Sequence, residues 1–183
     1  VSCVYDATNM SMIRRKAFLD EIKKYECRKK CVLFVMPVKV CKERNKNRER
    51  KVPDEVFDKM IKQFDVPMKY EGWDEIEVVL DEEYDYDDEY VELLQSAECF
   101  GQDNKHHRYS LMKHMMESVH YLINHFADIP IGRFANIFIA LYNHDIGKLI
   151  TKTFINQKGE ITDDAHYYGH DHAGSYLFLC GFS

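Results

Sequence analysis

The chain has no histidine before His106, no Cys-x-x-Cys pair and no apolar run approaching the about 18 residues that a membrane helix needs. The last absence excludes a helical membrane protein. The first residues, VSCVYDATN, also lack the charged-then-apolar layout of a secretion signal, so the cytoplasm is the expected compartment. Six cysteines are scattered at Cys3, Cys27, Cys31, Cys41, Cys99 and Cys180, and a chain of 183 residues at 45% hydrophobic content builds its core without staples. They are expected to be reduced. Four prolines and eight glycines leave no Pro/Ser-rich linker, and no internal repeat is present.

Excess positive charge is lacking as well. The net charge of -6 argues against an overall basic nucleic-acid binder, but it averages two opposed runs. KERNKNRERK (42–51) holds six bases against two acids, and DEEYDYDDEYVE (81–92) holds eight acids and no base. The first suits phosphate, whereas the second repels it and reads as a solvated connector or an exposed helix start.

Over residues 1–80, short apolar runs alternate with amphipathic ones, the pattern of an α/β unit. VSCVYD predicts a buried strand, Ser11 caps a helix to about Tyr25, and CVLFVMPV (31–38) predicts a second strand. Pro53, Asp54 and Glu55 open a helix whose Val56, Phe57, Met60, Ile61 and Phe64 share one face. IEVVL (76–80) predicts a last strand before the acidic connector, placed at 81–103.

From residue 104 the texture becomes helical. Leu111, Met115, Val119, Leu122, Ile123 and Phe126 draw one long stripe. The next helix, about Gly132 to Tyr142, is apolar nearly all round and is expected at the centre of a bundle. The fold class read from sequence is therefore α/β followed by all-α.

All nine histidines fall in this second half. A divalent metal needs several neutral imidazoles and carboxylates brought together from separate helices. His114, the His144-Asp145 doublet, and His166, His170, Asp171 and His172 are the candidates. Taken singly, His106, His120, His125 and His172 read as ordinary surface or core histidines.

HHRYSLMKH (106–114), YNHDIGK (142–148) and YYGHDHAGS (167–175) resemble, in order and spacing, the HD superfamily of metal-dependent phosphohydrolases, particularly the HD region of tRNA nucleotidyltransferases. The resemblance spans residues 104–183. It implies metal ligands at His114, His144 and Asp145, with His170 a ligand or phosphate contact and Lys148 facing substrate phosphate. Asp145, Lys148 and His170 are thus the expected catalytic groups, and the metal is Mg2+, Mn2+, Zn2+ or Ni2+. The family closes its site with an aspartate on a later helix, which the sequence to Ser183 does not reach.

Within residues 1–80, DATN (6–9), RNKNR (44–48) and VPDEVFDKM (52–60) resemble the back half of P-loop kinases of the polynucleotide 5′-kinase type. That resemblance implies Asp6 beside the phosphates at the end of a strand, and Arg44 and Arg48 in a lid closing on ATP, where the planar guanidinium fork grips phosphate. The G-x-x-x-x-G-K-[ST] phosphate loop does not occur. Gly147-Lys148 is no substitute, since Tyr142 stands at the leading glycine position and Leu149 at the hydroxyl position. The first βα units of the kinase are expected upstream of Val1.

Together these readings predict an enzyme of nucleic-acid ends that combines ATP-dependent phosphotransfer with metal-dependent hydrolysis. One alternative is an HD hydrolase of small nucleotides carrying a vestigial kinase scaffold. Another is a non-catalytic binding or regulatory module.

Overall fold

The computed structural model describes residues 2–81, 84, 86–126 and 128–181, with the side chains of 86, 87 and 89 outside that description. The chain divides into two compact units, Val1–Asp81 and Glu82–Ser183. Among the described residues no helix is long and apolar enough to cross a membrane.

The first unit is α/β. Helix α1 (Met12–Ile22) precedes strand β1 (Lys30–Phe34), helices α2 (Val38–Lys46) and α3 (Asp54–Ile61), a 3-10 turn at Lys69–Glu71 and strand β2 (Glu75–Val79). β1 and β2 pair in parallel from Lys30↔Glu75 to Phe34↔Val79. Helix α3 starts at its Pro53 cap with Asp54 and Glu55 in the first turn, and its apolar stripe buries Ile61 with Phe64 just beyond it.

The predicted strand at VSCVYD is not formed. Residues 2–8 are exposed, with Val4 94% accessible. A strand needs a partner for its backbone groups, and β1 and β2 bond only to each other among the described strands. The segment is tied down by a side chain instead, Tyr5 stacking on Phe18 with ring centroids 4.3 Å apart. Asp6 therefore does not sit at a strand end. Ser11 does precede α1, but its hydroxyl makes no capping bond. The Met12 N–H donates to Asp65 Oδ2 at 2.7 Å, so a carboxylate distant in sequence caps the helix.

In the second unit, helices α4 (Tyr86–Glu98), α5 (Leu111–His125) and α6 (Ile131–Asn143) precede a short α7 (Lys148–Thr151), strands β3 (Thr153–Ile155) and β4 (Ile161–His166) and helix α8 (His170–Gly181). α5 is as periodic as its sequence suggests, burying Leu111, Met115, Val119 and Leu122. Its Ser110 cap accepts the Lys113 N–H at 3.4 Å. Leu111 and Met115 join Ala97 of α4, Ile146 and Leu177 of α8 in one core. Each large side chain there contributes about 1.5–3 kcal/mol of burial.

Three expectations change in this unit. Residues 86–98 form a helix packed on α5 and α8, so the stretch assigned to a connector joins the second unit. Glu82, Glu83 and Asp85 of the acidic run lie outside the described residues. Strands β3 and β4 form an antiparallel hairpin where only helix was expected, because TFI and ITDDAH flank the Asn156-Gln157-Lys158-Gly159 turn, in which Gly159 adopts φ 85°. Helix α6 is not central, since Ile131 is 83% exposed and Asn143 is its only described residue that is fully buried.

Candidate metal centre

Helix α6 ends at Asn143, whose side chain is held at both ends. Its Nδ2 donates to the Ile139 carbonyl at 2.8 Å, and its Oδ1 accepts the Tyr90 hydroxyl at 2.5 Å. The chain then turns through His144, Asp145, Ile146 and Gly147 into α7. Ile146 is fully buried and pins that turn in the core, with Asp145 buried beside it and His144 at the surface.

Gly147 is required by a close approach. A Cβ there would lie 2.0 Å from the His170 carbonyl oxygen and 2.4 Å from the Gly174 nitrogen, both backbone atoms that cannot swing away. The bare glycine lets the turn press directly against the start of α8. That contact brings His170 to the same carboxylate as His144.

Asp145 is the hub. Its Oδ2 lies 3.2 Å from His114 Nε2 and 3.3 Å from His144 Nε2, and its Oδ1 lies 3.4 Å from His170 Nε2. The two nearer imidazoles approach each other at 3.4 Å between Nε2 atoms. One ligand atom from each of His114, His144 and Asp145 lies within 4.8 Å of the others, the span of a single cation's donor shell. Asp145 is buried to 7% side-chain accessibility, while the three imidazoles keep about a third of their surface open to solvent.

The hydrogen-bond chemistry fits a metal. His144 Nδ1 sits 2.7 Å from the Leu141 carbonyl and His170 Nδ1 2.8 Å from the Tyr167 carbonyl. A carbonyl only accepts, so each Nδ1 carries the hydrogen and each neutral ring turns a bare Nε2 lone pair toward Asp145. Lone pairs facing a carboxylate repel unless a proton or a cation lies between them. The hydrogen bond to Asp145 raises the pKa of His144 despite burial, and a bound cation would displace that proton. For His114, burial outweighs the pull of Asp145 and lowers the pKa, so the neutral form that ligates is favoured. Burial alone would raise the Asp145 pKa, but its His144 and Lys148 partners hold it far below the carboxylate range.

Lys148 occupies a different place from the one its motif suggests. Its ammonium is buried, donating to Asp145 Oδ2 at 2.7 Å and Gln102 Oε1 at 2.9 Å, with His107 Nε2 at 3.4 Å. It faces the carboxylate and not open space, and acts as an internal counter-ion. Gln102 is itself fixed, its Nε2 donating to the Tyr109 carbonyl at 3.3 Å while its backbone carbonyl accepts the Tyr167 hydroxyl. The sequence reading missed Gln102 and His107. His107 stands in the HHRYSLMKH motif but before α5 begins, so helical spacing could not relate it to His114; its pKa is lowered by burial and then by Lys148.

The residues expected to bind ATP all lie on the surface of the first unit. Arg44, at 61% side-chain exposure, pairs with Asp81, and Lys42 reaches Asp58 at 3.0 Å. Arg48 and Asp6 are exposed, and among the described residues neither side chain makes a hydrogen bond or ion pair. The buried charge of this unit lies elsewhere. Arg15 holds Glu71 through two bonds of 2.8 Å, and Trp73 Nε1 and the Met68 N–H add donors at 3.2 and 3.0 Å.

Two structural classes are thus on one chain, a parallel α/β unit and a helical unit with a two-histidine, one-carboxylate centre. Residues 1–67 match the AAA domain family AAA_33, and the first unit is accordingly P-loop NTPase-like. No curated protein and no solved structure matches the chain.

Proposed function

We propose that the second unit is a divalent-metal phosphohydrolase of the HD type, and that with the first unit it processes nucleic-acid ends. The observation that carries this reading is the convergence of His114 on α5 with His144 and Asp145 in the turn after α6, thirty residues later in sequence, on one point. His114 and His144 would hold the cation through Nε2 and Asp145 through its buried carboxylate. A divalent cation supplies Lewis acidity toward a phosphoryl oxygen. His170, on the other Asp145 oxygen, would serve as a further ligand or, once protonated at Nε2, as a phosphate contact, and Lys148 keeps Asp145 ionised and oriented. Mg2+, Mn2+, Zn2+ and Ni2+ all suit a nitrogen and oxygen donor set.

The first unit is kinase-like, and nucleotide phosphotransfer with ATP and Mg2+ is the activity that its family match suggests. Arg44 and Arg48 on the basic helix and the loop after it are the proposed ATP contacts. The cytoplasm, where nucleic-acid ends need repair, is the proposed setting.

The test assays the full-length protein on oligonucleotides ending in 2′,3′-cyclic phosphate, 3′-phosphate or 5′-hydroxyl, with Mn2+ and with or without ATP. Metal-dependent phosphoester hydrolysis that His144→Ala abolishes and Arg48→Ala leaves intact is expected, together with ATP-dependent phosphorylation showing the reverse pattern. Inactivity on all three ends contradicts the proposal.

A further inference from the structure

Gln102 is 2% exposed and lies in the loop between α4 and α5, outside every named helix and strand. A buried amide needs partners, and this one has them on each side. Its Nε2 donates to the Tyr109 carbonyl across the loop, its Oε1 accepts from the Lys148 ammonium, and its backbone carbonyl accepts the Tyr167 hydroxyl. The loop is anchored at both ends. Gly101 bridges to Ser110 and the Leu111 N–H donates to the Phe100 carbonyl at 3.0 Å. Further along, the Asp103 carbonyl accepts the Ala165 N–H of β4 at 2.8 Å, and Asn104 Nδ2 donates to the Ala165 carbonyl at 3.0 Å.

What Gln102 touches sets its role. The Lys148 ammonium has three N–H groups and three acceptors around it: Asp145 Oδ2 at 2.7 Å, Gln102 Oε1 at 2.9 Å and His107 Nε2 at 3.4 Å. Oδ2 is also the Asp145 oxygen that faces His114 and His144. The last torsion of an aspartate is broad, so the direction in which Oδ2 points depends on what holds it. Lys148 holds it, and Gln102 holds Lys148. Removing the amide would leave an N–H of a buried ammonium without its acceptor, and the ammonium would re-aim to recover one, loosening its grip on Asp145.

We infer that Gln102 is a positioning residue of the cation site: acting through Lys148, it fixes the orientation in which Asp145 presents Oδ2 alongside His114 and His144. The inference rests on the cation-site reading, but the hold on Lys148 is measurable without metal. The same residue reaches a second arm of the centre, since Tyr167, whose hydroxyl bonds the Gln102 carbonyl, supplies the carbonyl that orients His170.

Two measurements on the full chain test this. In the absence of metal, the Lys148 ammonium should give a slowly exchanging nitrogen NMR signal, recognised by its loss in Lys148→Met, and Gln102→Met should abolish it. In a calorimetric Mn2+ titration, Gln102→Met should weaken binding about tenfold or more, as for an outer partner of a ligand. Gln102→Glu keeps an acceptor for Lys148 but loses the donor to Tyr109, so it should retain the signal and bind Mn2+ at least as tightly as the parent. If the methionine variant does not fold, Gln102→Asn, one methylene short of Lys148, should show the same two losses. An ammonium signal absent from the parent or indifferent to the substitution, unchanged Mn2+ affinity, or a glutamate variant as impaired as the methionine one overturns the inference and leaves the cation site standing. A parent chain that shows the signal and takes up no Mn2+ overturns the cation-site reading and the inference with it.

Discussion

Each unit buries a carboxylate, and the partners of the two are opposite in kind. Around Glu71 every neighbour is a donor: two guanidinium N–H groups of Arg15, the Trp73 indole and the Met68 amide. The pair is closed, with 4% and 0% of its side chains exposed, and it ties α1 to the turn before β2. Around Asp145, one donor is an ammonium and the other neighbours are three imidazole nitrogens, those of His144 and His170 oriented by backbone carbonyls, with solvent on their outer side. A closed pair stabilises. A carboxylate ringed by potential lone pairs suits the cation site proposed above, and the contrast between the two buried charges lies in those partners, not in burial itself.

Substitutions sharpen this contrast. The largest effect is expected from Asp145→Asn, which should weaken metal binding by more than about a hundredfold, beyond the loss typical of an outer partner. Calorimetric Mn2+ titration checks it. Asp145→Asn leaves the buried Lys148 ammonium without its counter-charge and should cost stability as well, whereas Arg15→Met should strand Glu71, destabilise the first unit by about 3–5 kcal/mol in urea unfolding and leave metal binding unchanged. The double variant Arg15→Met/Glu71→Leu should regain most of that loss, since a well-packed apolar pair replaces the charges. If the single variant unfolds no earlier than the parent, the closed pair is not structural.

Gly147→Ala comes next. The added methyl group meets backbone at 2.0 Å, so α8 must shift, costing about 1–3 kcal/mol and carrying His170 away from Asp145. Lower thermal stability together with weaker metal binding is expected, and loss of stability alone would separate Gly147 from the centre.

Acid should also distinguish the units. Burial alone would raise the Glu71 pKa, but the Arg15, Met68 and Trp73 donors prevail and lower it. A carboxyl depressed in the folded state contributes stability that is complete above its ordinary value and is lost as pH falls from there through the depressed value. The first unit should therefore weaken as pH drops below the usual glutamate range of about 4.3. In Glu71→Gln that component of the pH dependence should disappear from a urea series. The smallest effect is Ser110→Ala, which removes the long 3.4 Å cap of α5 and should cost about 0.5–1 kcal/mol.

What the sequence made legible follows from which forces are local. The start of α3 formed as read, and so did the α5 stripe from Leu111 to Leu122, while Ile123 and Phe126 at its end are about half exposed. The three candidate ligands were found because their motifs are short and lie on well-defined helix ends. VSCVYD failed because a strand exists only with a neighbour, a non-local condition that its six residues cannot state. Helix α6 misled for a related reason, since its composition is apolar on all sides while its burial depends on what packs there. Lys148 was assigned to substrate, and the structure turns it inward, because Gln102 and His107 meet it from 46 and 41 residues away.

The central claim is that His114, His144 and Asp145 form one cation site, and the most direct measurement is a Mn2+ titration of the full chain followed by calorimetry and electron paramagnetic resonance. One Mn2+ per chain, lost in His144→Ala and Asp145→Asn and accompanied by proton release near neutral pH, is the predicted result. No uptake by the parent chain, or uptake that survives both substitutions, would contradict it.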